Sequence, residues 1–425
     1  MATHLDQASV DDVIRRALPV ADSLASRGHR SFVVGGLVRD LHLGGGSSTD
    51  VDITTDATPE VMKEAFADIA DDLWAQGERF GTIGMRIGAT EFEVTTHRSE
   101  SYDEDSRKPK VEFSTAIEAD LSRRDFTVNA MALEVPSGRL VDPFDGAADL
   151  AAGTLRTPGA PSASFTDDPL RMLRAARFFA GYQLEPAADL ESAMTEFGER
   201  IAIVSQERVR DELAKLLVLD RPGEGIRLLG RTGLLARIVD GYDEPTGEDV
   251  AGLVDSVSNG ELVRRAAFHL VLAERAGEAA LGSHLSKRRY SAKEQRDTLR
   301  VVSAARGAAD NPAAVTSDVG VRTFLSASGE WVAEATELLA FERLAGAAVA
   351  SQMAARVTEL AATEDVTVFD PALTGAEVME ILGLESGPEV GAALAFLRDL
   401  RMAEGELSPE QASRRLVEWR SQSEG

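Results

Sequence analysis

Asp50 and Asp52 flank Val51, so two carboxylates stand two residues apart. On a β-strand, residues i and i+2 share a face. Both acids then project together, while Val51 and Ile53 turn to the core. Like charges this close repel and raise each other's pKa unless a cation intervenes. Mg2+ suits the pair, being held by one or two carboxylates together with substrate phosphates. Such a pair on Mg2+ can align an attacking hydroxyl with a nucleoside triphosphate. A bare D-x-D is more often an acidic strand edge facing water, so the flanking residues decide between the readings.

Upstream, Val33-Val34-Gly35-Gly36-Leu37-Val38-Arg39-Asp40 reads as a strand, a glycine pair and a helix start. Glycines there let the backbone approach a phosphate, and a helix N-terminus offers free N–H groups. Gly36 and Arg39 are therefore candidate nucleotide contacts, with Asp40 holding Arg39 or capping the helix. A turn at Gly44-Gly45-Gly46-Ser47-Ser48 joins this block to DVDITT. In Ser122-Arg123-Arg124-Asp125 two arginines enter a helix expected over 122–132. Guanidinium suits bidentate phosphate contacts, and Asp125 is placed to orient either arginine. Without further motifs, an arginine pair is a solvated face.

Asp167-Asp168-Pro169-Leu170-Arg171 carries the most information. Ser164 or Thr166 is a candidate helix cap, and Pro169 fits the first turn. Asp168 and Arg171 are neighbours on one helix face, and Arg174 and Arg177 continue that stripe. The bland reading is a surface ion pair worth tenths of a kcal/mol. The functional reading is base recognition. A carboxylate accepts the exocyclic amine of cytosine or adenine, and a guanidinium donates to their ring acceptors. Guanine and uracil set a carbonyl oxygen against the carboxylate and are rejected.

The elements that must position these residues fall into two parts. Residues 32–36, 51–55, 82–87 and 92–97 read as strands, and 133–144 as a hairpin turning at Pro136-Ser137-Gly138. Helical patterns fall at 10–27 and 58–70, the latter starting at a capping Thr58 and Pro59. The segment 98–110 is polar and reads as a loop. After Gly153 the strand signals nearly vanish, and helical periodicity runs to the end, with breaks near 221–224, 241–248, 306–313 and 364–373. The fold class is α+β: a small mixed β-sheet head followed by an all-α neck, body and tail. The expected domains are 1–150, 151–240, 241–365 and 366–425.

At 425 residues and 44% hydrophobic, the chain can build several cores, which excludes disorder of the whole. It has no cysteine, which excludes disulfides and thiolate metal sites. Its apolar runs are too short to span a membrane, and the first residues carry acids where a signal peptide needs bases. A cytoplasmic location is expected. The net charge of −26 argues naively against nucleic acid, yet a local basic groove is compatible with it. Only 6 of the 45 basic residues are lysines, a bias that genome composition also produces.

GGLVRD followed by DVDITT resembles the nucleotidyltransferase motif of the tRNA nucleotidyltransferase and bacterial poly(A) polymerase family, within the DNA polymerase β-like superfamily. Further blocks follow in family order: ERFGT at 78–82, FEVTTHR at 92–98, DLSRRDFTVNAMA at 120–132, DPFDGAADL at 142–150, DDPLRMLRAARF at 167–178 and SQERVRDELAKLL at 205–217. The resemblance implies that Asp50 and Asp52 bind Mg2+ and that Glu93 is either a third catalytic carboxylate or a structural acid paired to an arginine. It implies that Arg124, rather than Arg123, meets the triphosphate, and that Arg174 and Arg177 meet triphosphate or hold the pocket. The 142–150 block resembles a hinge between head and neck, and 205–208 a capped helix start in the neck. The family motif begins Glu-Asp where this chain has Asp167-Asp168. None of the six histidines precedes an aspartate, so no metal-dependent HD hydrolase is expected, and 260–300 reads at most as its ligand-less remnant. Lys287-Arg288-Arg289 and the arginines from 208 to 237 are either a basic surface for tRNA or ordinary solvated faces. Residues 373–391 resemble a tail that holds tRNA by shape. The implied function is template-independent building of the 3′-terminal CCA of tRNA from CTP and ATP. The alternatives are a poly(A) polymerase, a partial CC- or A-adding enzyme, or an inactive RNA-binding relative.

Overall fold

A computed structural model describes residues 5–45, 50–101, 110–311 and 315–423. Contacts divide the chain into two units, Met1–Glu248 and Asp249–Gly425, with the boundary inside the helix Glu244–Ser256.

The first unit opens with a mixed sheet. Its strands are β1 (Ser31–Val34), β2 (Asp50–Thr55), β3 (Asp72–Trp74), β4 (Thr82–Ile87) and β5 (Thr90–Thr96), then β8 (Ala132–Val135) and β9 (Leu140–Val141) after a separate ribbon of β6 (Arg98–Ser101) and β7 (Lys110–Phe113). The order is β3-β4-β5-β2-β1-β8-β9. Only the central β2–β5 pair is parallel, and it pairs Asp50 with Glu91 and Asp52 with Glu93. The period of two divides β2: Val51 and Ile53 are buried, while Asp50 and Asp52 are open. Val33, Ile53 and Val94 on the first face pack beneath the helices Gln7–Ala25, Gly36–His42 and Pro59–Phe66 in one core. On the opposite face Phe32 and Val34 form a smaller cluster with Ile117 and Leu121, next to the open acids.

Four local expectations need correction. The helix expected over 122–132 is absent: a helix ends at Ser122, Thr127–Asn129 is a 3-10 turn, and Ala132 begins β8. Arg123 and Arg124 therefore leave a helix rather than enter one, which is where cations suit the helix dipole. Ala130 and Ala132 are buried under the sheet, so tertiary packing overrides the helical pattern. Residues 98–101 form β6 rather than a loop, and the rest of that loop up to 109 lies outside the described residues, as do Gly46, Ser47 and Ser48. Thr58 and Ser205 occupy cap positions, but neither side chain makes the capping bond. The expected break at 241–248 is largely helix, because Glu244–Ser256 starts within it.

Helices complete the first unit. Leu170–Tyr182 buries Leu173, Ala176 and Phe178, and the helix Pro222–Arg231 crosses it at Gly225. A Cβ on Gly225 would stand 2.6 Å from the Ala176 carbonyl oxygen, so only glycine permits that approach. Short strands β10 (Thr154–Leu155) and β11 (Glu185–Pro186) pair in parallel beside these helices.

The second unit is helical among its described residues. Ser291 and Thr374 each close a capping box, with Glu294 and Glu377 respectively. Glu364 is buried and bonded to the buried guanidiniums of Arg322 and Arg401. His269 and His284 lie buried with ring centres 5.3 Å apart, among Arg265, Arg288 and Tyr290. Burial, followed by neighbouring positive groups, pushes His269 down to about 3 and His284 down to about 4. Both are neutral in the fold and protonate near 6.5 when unfolded. Their neutral burial is harmless above pH 6.5, and stability is lost as pH falls from 6.5 toward 4. At pH 5 the loss is about 2 kcal/mol per histidine. Urea melts at pH 7 and pH 5 should show it, and His269→Gln should remove about half of the dependence.

Candidate active site

The parallel β2–β5 register sets Asp52 directly beside Glu93, with Asp50 two residues away on the same face. The expected third carboxylate is thus a strand neighbour of the first two. Although its side chain is open, the protein packed around Asp52 desolvates the carboxyl and raises it above the usual carboxylate range. The charge of Arg124 opposes that rise, and those of Glu93 and Asp50 add to it.

Gly35 ends β1 at φ +79°, a backbone region that side chains rarely adopt. A Cβ there would stand 3.0 Å from Arg124 Nη1 and 3.6 Å from Asp52 Oδ2. The glycine turn, the acid and the guanidinium therefore meet at one point. Arg124 Nη2 donates to Asp120 Oδ2 at 3.3 Å, and Arg124 Nε is buried with no partner. Gly35→Ala should cut nucleotide incorporation about 100-fold or more, because the new methyl needs strained backbone and displaces Arg124. Single-turnover rates check this, with circular dichroism to confirm folding.

Asp120 is the residue missed here. It is fully buried and binds both arginines, Arg123 Nη2 at 2.7 Å and Arg124 Nη2 at 3.3 Å. Burial opposes its charge, but the two guanidiniums outweigh burial and hold its carboxyl below the usual range. Its position three and four residues before the arginines was the available signal. Asp125 does not orient that pair. It accepts from Asn129 Nδ2 at 2.9 Å and from Arg174 Nε at 2.8 Å. Although burial opposes its charge too, Arg174 and Asn129 keep its carboxyl low.

Arg39 folds over Gly36, its Nη2 3.4 Å from where a Cβ would sit. It is buried, donating to Asp40 Oδ1 at 2.8 Å and to Asn129 Oδ1 at 2.8 Å, with its guanidinium 4.2 Å from the Tyr182 ring centre. Asp40 does hold Arg39. The guanidinium thus meets Asp40, Asn129 and Tyr182, bridging the glycine turn and the helix Leu170–Tyr182.

Asp168 and Arg171 flank the start of that helix but do not pair. Asp168 Oδ1 accepts from the Leu170 N–H at 3.2 Å, so Asp168 caps the turn that Ser164 or Thr166 was expected to cap. Ser164 and Thr166 lie within the preceding helix, Pro161–Asp167. Arg171 donates to Ser164 Oγ at 2.8 Å and to the Arg123 carbonyl. Arg208 Nη2 takes the other Asp168 oxygen, Oδ2, at 2.7 Å. The Arg174–Arg177 stripe splits between two acids: Arg174 to Asp125 and Arg177 to buried Glu212. Asp142 caps the helix Gly146–Ala152 through the Gly146 and Ala147 N–H groups at 2.7 and 2.9 Å. All six arginines from 208 to 237 face an acid: Asp168, Asp211, Glu224, Glu248, Glu191 and Glu199 in order. Lys287 and Arg289 are exposed, whereas Arg288 is buried.

Among the described residues no three acids or histidines form a ready-made metal cage. An open pair of oxygen ligands suits a hard cation that completes its shell with phosphate oxygens and water.

A mixed sheet with in-register carboxylates beside a glycine turn and an anchored arginine fits a nucleotidyltransferase head. Residues 31–156 match the poly A polymerase head domain, and 183–244 match a domain described as "Probable RNA and SrmB- binding site of polymerase A". The CCA-adding enzyme of Lactobacillus helveticus is 40% identical over 206 residues, 48% of this chain and 50% of that protein. That of Bacillus pumilus is 36% identical over 248 residues, 58% of this chain and 59% of the relative. The chain thus spans between half and three fifths of the length of these curated relatives. The crystal structure of the Bacillus stearothermophilus CCA-adding enzyme in complex with CTP is similar over 97% of this chain and 98% of the other, with a TM-score of 0.74 and 26% identity. Residues 31–156 and 183–244 thus resemble the head and the RNA-binding region of poly A polymerases, and the fold is that of the CCA-adding enzyme structure. Among the described residues no helix is long and apolar enough to cross a membrane.

Proposed function

We propose that this protein is a cytoplasmic, template-independent nucleotidyltransferase that builds the 3′-terminal CCA of tRNA from CTP and ATP. The observation that carries the reading is Asp52 beside Glu93 in strand register, with Arg124 against Gly35. Asp50 and Asp52 would hold Mg2+, which supplies charge neutralisation for the phosphates and activation of the attacking hydroxyl. Glu93, on the same face, is placed to accept the proton of the RNA 3′-hydroxyl as that oxygen bonds to the α-phosphorus. Pyrophosphate leaves as the α–β bond breaks. Arg124 offers its Nη1, beside the glycine turn, to the triphosphate, oriented by Asp120. The absence of a side chain at Gly35 leaves Arg124 and Asp52 close together where the phosphates would come.

Asp168 and Arg171 would read the base edge, the carboxylate accepting the amine of cytosine or adenine. Arg174, Arg177 and Arg39 act behind them, tying the base-reading helix to Asp125, Glu212, Asp40 and Asn129. The division of labour follows a head at 1–150, a neck at 151–240, a body at 241–365 and a tail at 366–425, with tRNA held by the neck, body and tail.

The test is nucleotide incorporation with Mg2+ on tRNA lacking CCA, tRNA ending in C, tRNA ending in CC and an unrelated RNA. CTP, ATP, both, GTP and UTP are supplied in turn. Completion of CCA on all three tRNAs followed by a stop is the expected result. Long A tails on any RNA would make the protein a poly(A) polymerase. A stop at CC, or addition only to tRNA ending in CC, would make it a partial enzyme.

A further inference from the structure

Arg208 sits in the first turn of the helix Gln206–Leu217, three residues after the Ser205 cap position. A capping box would place Glu or Gln there, and the helix dipole disfavours a cation in the first turn. Helix stability therefore does not explain this arginine. Its side chain reaches 40 positions back along the chain to Asp168.

The carboxylate it meets carries one donor on each oxygen, the Leu170 N–H on Oδ1 and Arg208 Nη2 on Oδ2. Each oxygen keeps a further lone pair for a base amine. With both donors in place the carboxylate cannot turn about its own axis without losing a bond. Arg174 adds a second positive neighbour to the same acid. Arg171 is held in the same manner by Ser164 and the Arg123 carbonyl. Both members of the base-reading pair are thus fixed by third parties rather than by each other.

We propose that Arg208 is a positioning residue for base selection, fixing the Asp168 carboxylate so that its free lone pairs meet an amine and repel a carbonyl oxygen. The proposal rests on the reading of Asp168 as the amine acceptor. Without Arg208 only the Leu170 N–H restrains the carboxylate, the amine of CTP gains a less ordered acceptor, and UTP meets a less ordered barrier. Selection weakens while the reacting groups at Asp50, Asp52 and Arg124 stay in place.

The experiment compares Arg208→Ala, Arg208→Lys and Asp168→Ala in the full chain. Each is measured for kcat and KM with CTP and with UTP on tRNA lacking CCA, and for CTP and UTP binding by titration without tRNA. Arg208→Ala should lower the CTP:UTP ratio of kcat/KM about tenfold, mainly through a higher KM for CTP, and Arg208→Lys should restore most of it. An unchanged ratio, or an equal loss with both nucleotides, would overturn the proposal, since a purely structural role scales both alike. If Asp168→Ala collapses the ratio and Arg208→Ala does not, the proposal alone fails. If Asp168→Ala leaves the ratio intact, the base-reading assignment itself fails. The titrations give the same comparison for any variant that no longer transfers.

Discussion

Asp52→Ala is expected to lower nucleotide incorporation by about 10³-fold or more while tRNA binding stays within about twofold of the parent. Three features make Asp52 the more telling of the two strand acids to remove. It is paired in register with Glu93, it lies 3.6 Å from the position of a Gly35 Cβ, and its carboxyl is raised by desolvation and then by its acidic neighbours. A loss of 10³ corresponds to about 4 kcal/mol of transition-state stabilisation. Removing the carboxylate also relieves repulsion with Glu93 and Asp50, so the folded head should lose no stability. Single-turnover incorporation, filter binding of tRNA and a thermal melt together decide the matter. Persistent transfer with an unchanged melt would show that the metal assignment is wrong. Lost tRNA binding would show that the strand acid serves RNA rather than chemistry.

Asp168→Ala should produce a different pattern. Here kcat/KM for CTP and ATP is expected to fall about 100-fold, with discrimination against UTP and GTP shrinking to within about tenfold. The acid accepts from Leu170 and Arg208 but lies outside the carboxylate cluster of the sheet. Its loss therefore removes an acceptor for the base amine without touching the reacting phosphate. Asp168→Asn is the sharper variant, since its amide can donate to a carbonyl oxygen as well as accept. It should raise UTP use relative to CTP beyond the alanine variant. Steady-state kinetics with the four nucleotides, each alone, read the result. Equal losses for all four would assign Asp168 to helix capping rather than to base selection.

The two variants probe sites whose connection the fold makes explicit. Arg39 covers Gly36 and donates to Asn129; Asn129 donates to Asp125; Asp125 accepts from Arg174 on the helix Leu170–Tyr182. A polar chain thus runs from the glycine turn to the helix that carries Arg171.

Much of this was legible in the sequence because its carriers are local. Alternation in DVDITT put Val51 and Ile53 in the core and the two aspartates on the other face, and a period of two permits no other outcome once one face is buried. The hairpin after Leu133 followed from Pro136-Ser137-Gly138, and Leu133 does pair with Leu140. The shift from strand signals to helical periodicity after Gly153 likewise appears as a sheet followed by helices. What the tertiary structure alone decided is which charge meets which. The sequence offered Arg39, Arg174 and Arg177 as phosphate or pocket contacts and Arg171 as a base reader, and of their partners only Asp40, beside Arg39, was written in a neighbour. The other partners come from elsewhere: Asn129 lies 90 positions from Arg39, the Arg123 carbonyl 48 from Arg171, Asp125 49 from Arg174 and Glu212 35 from Arg177. Among the described residues beside the strand acids, Arg124 keeps a buried donor without a partner. Burial makes unpaired charge costly, so folding itself sorts these arginines into those that hold the site and one that faces it.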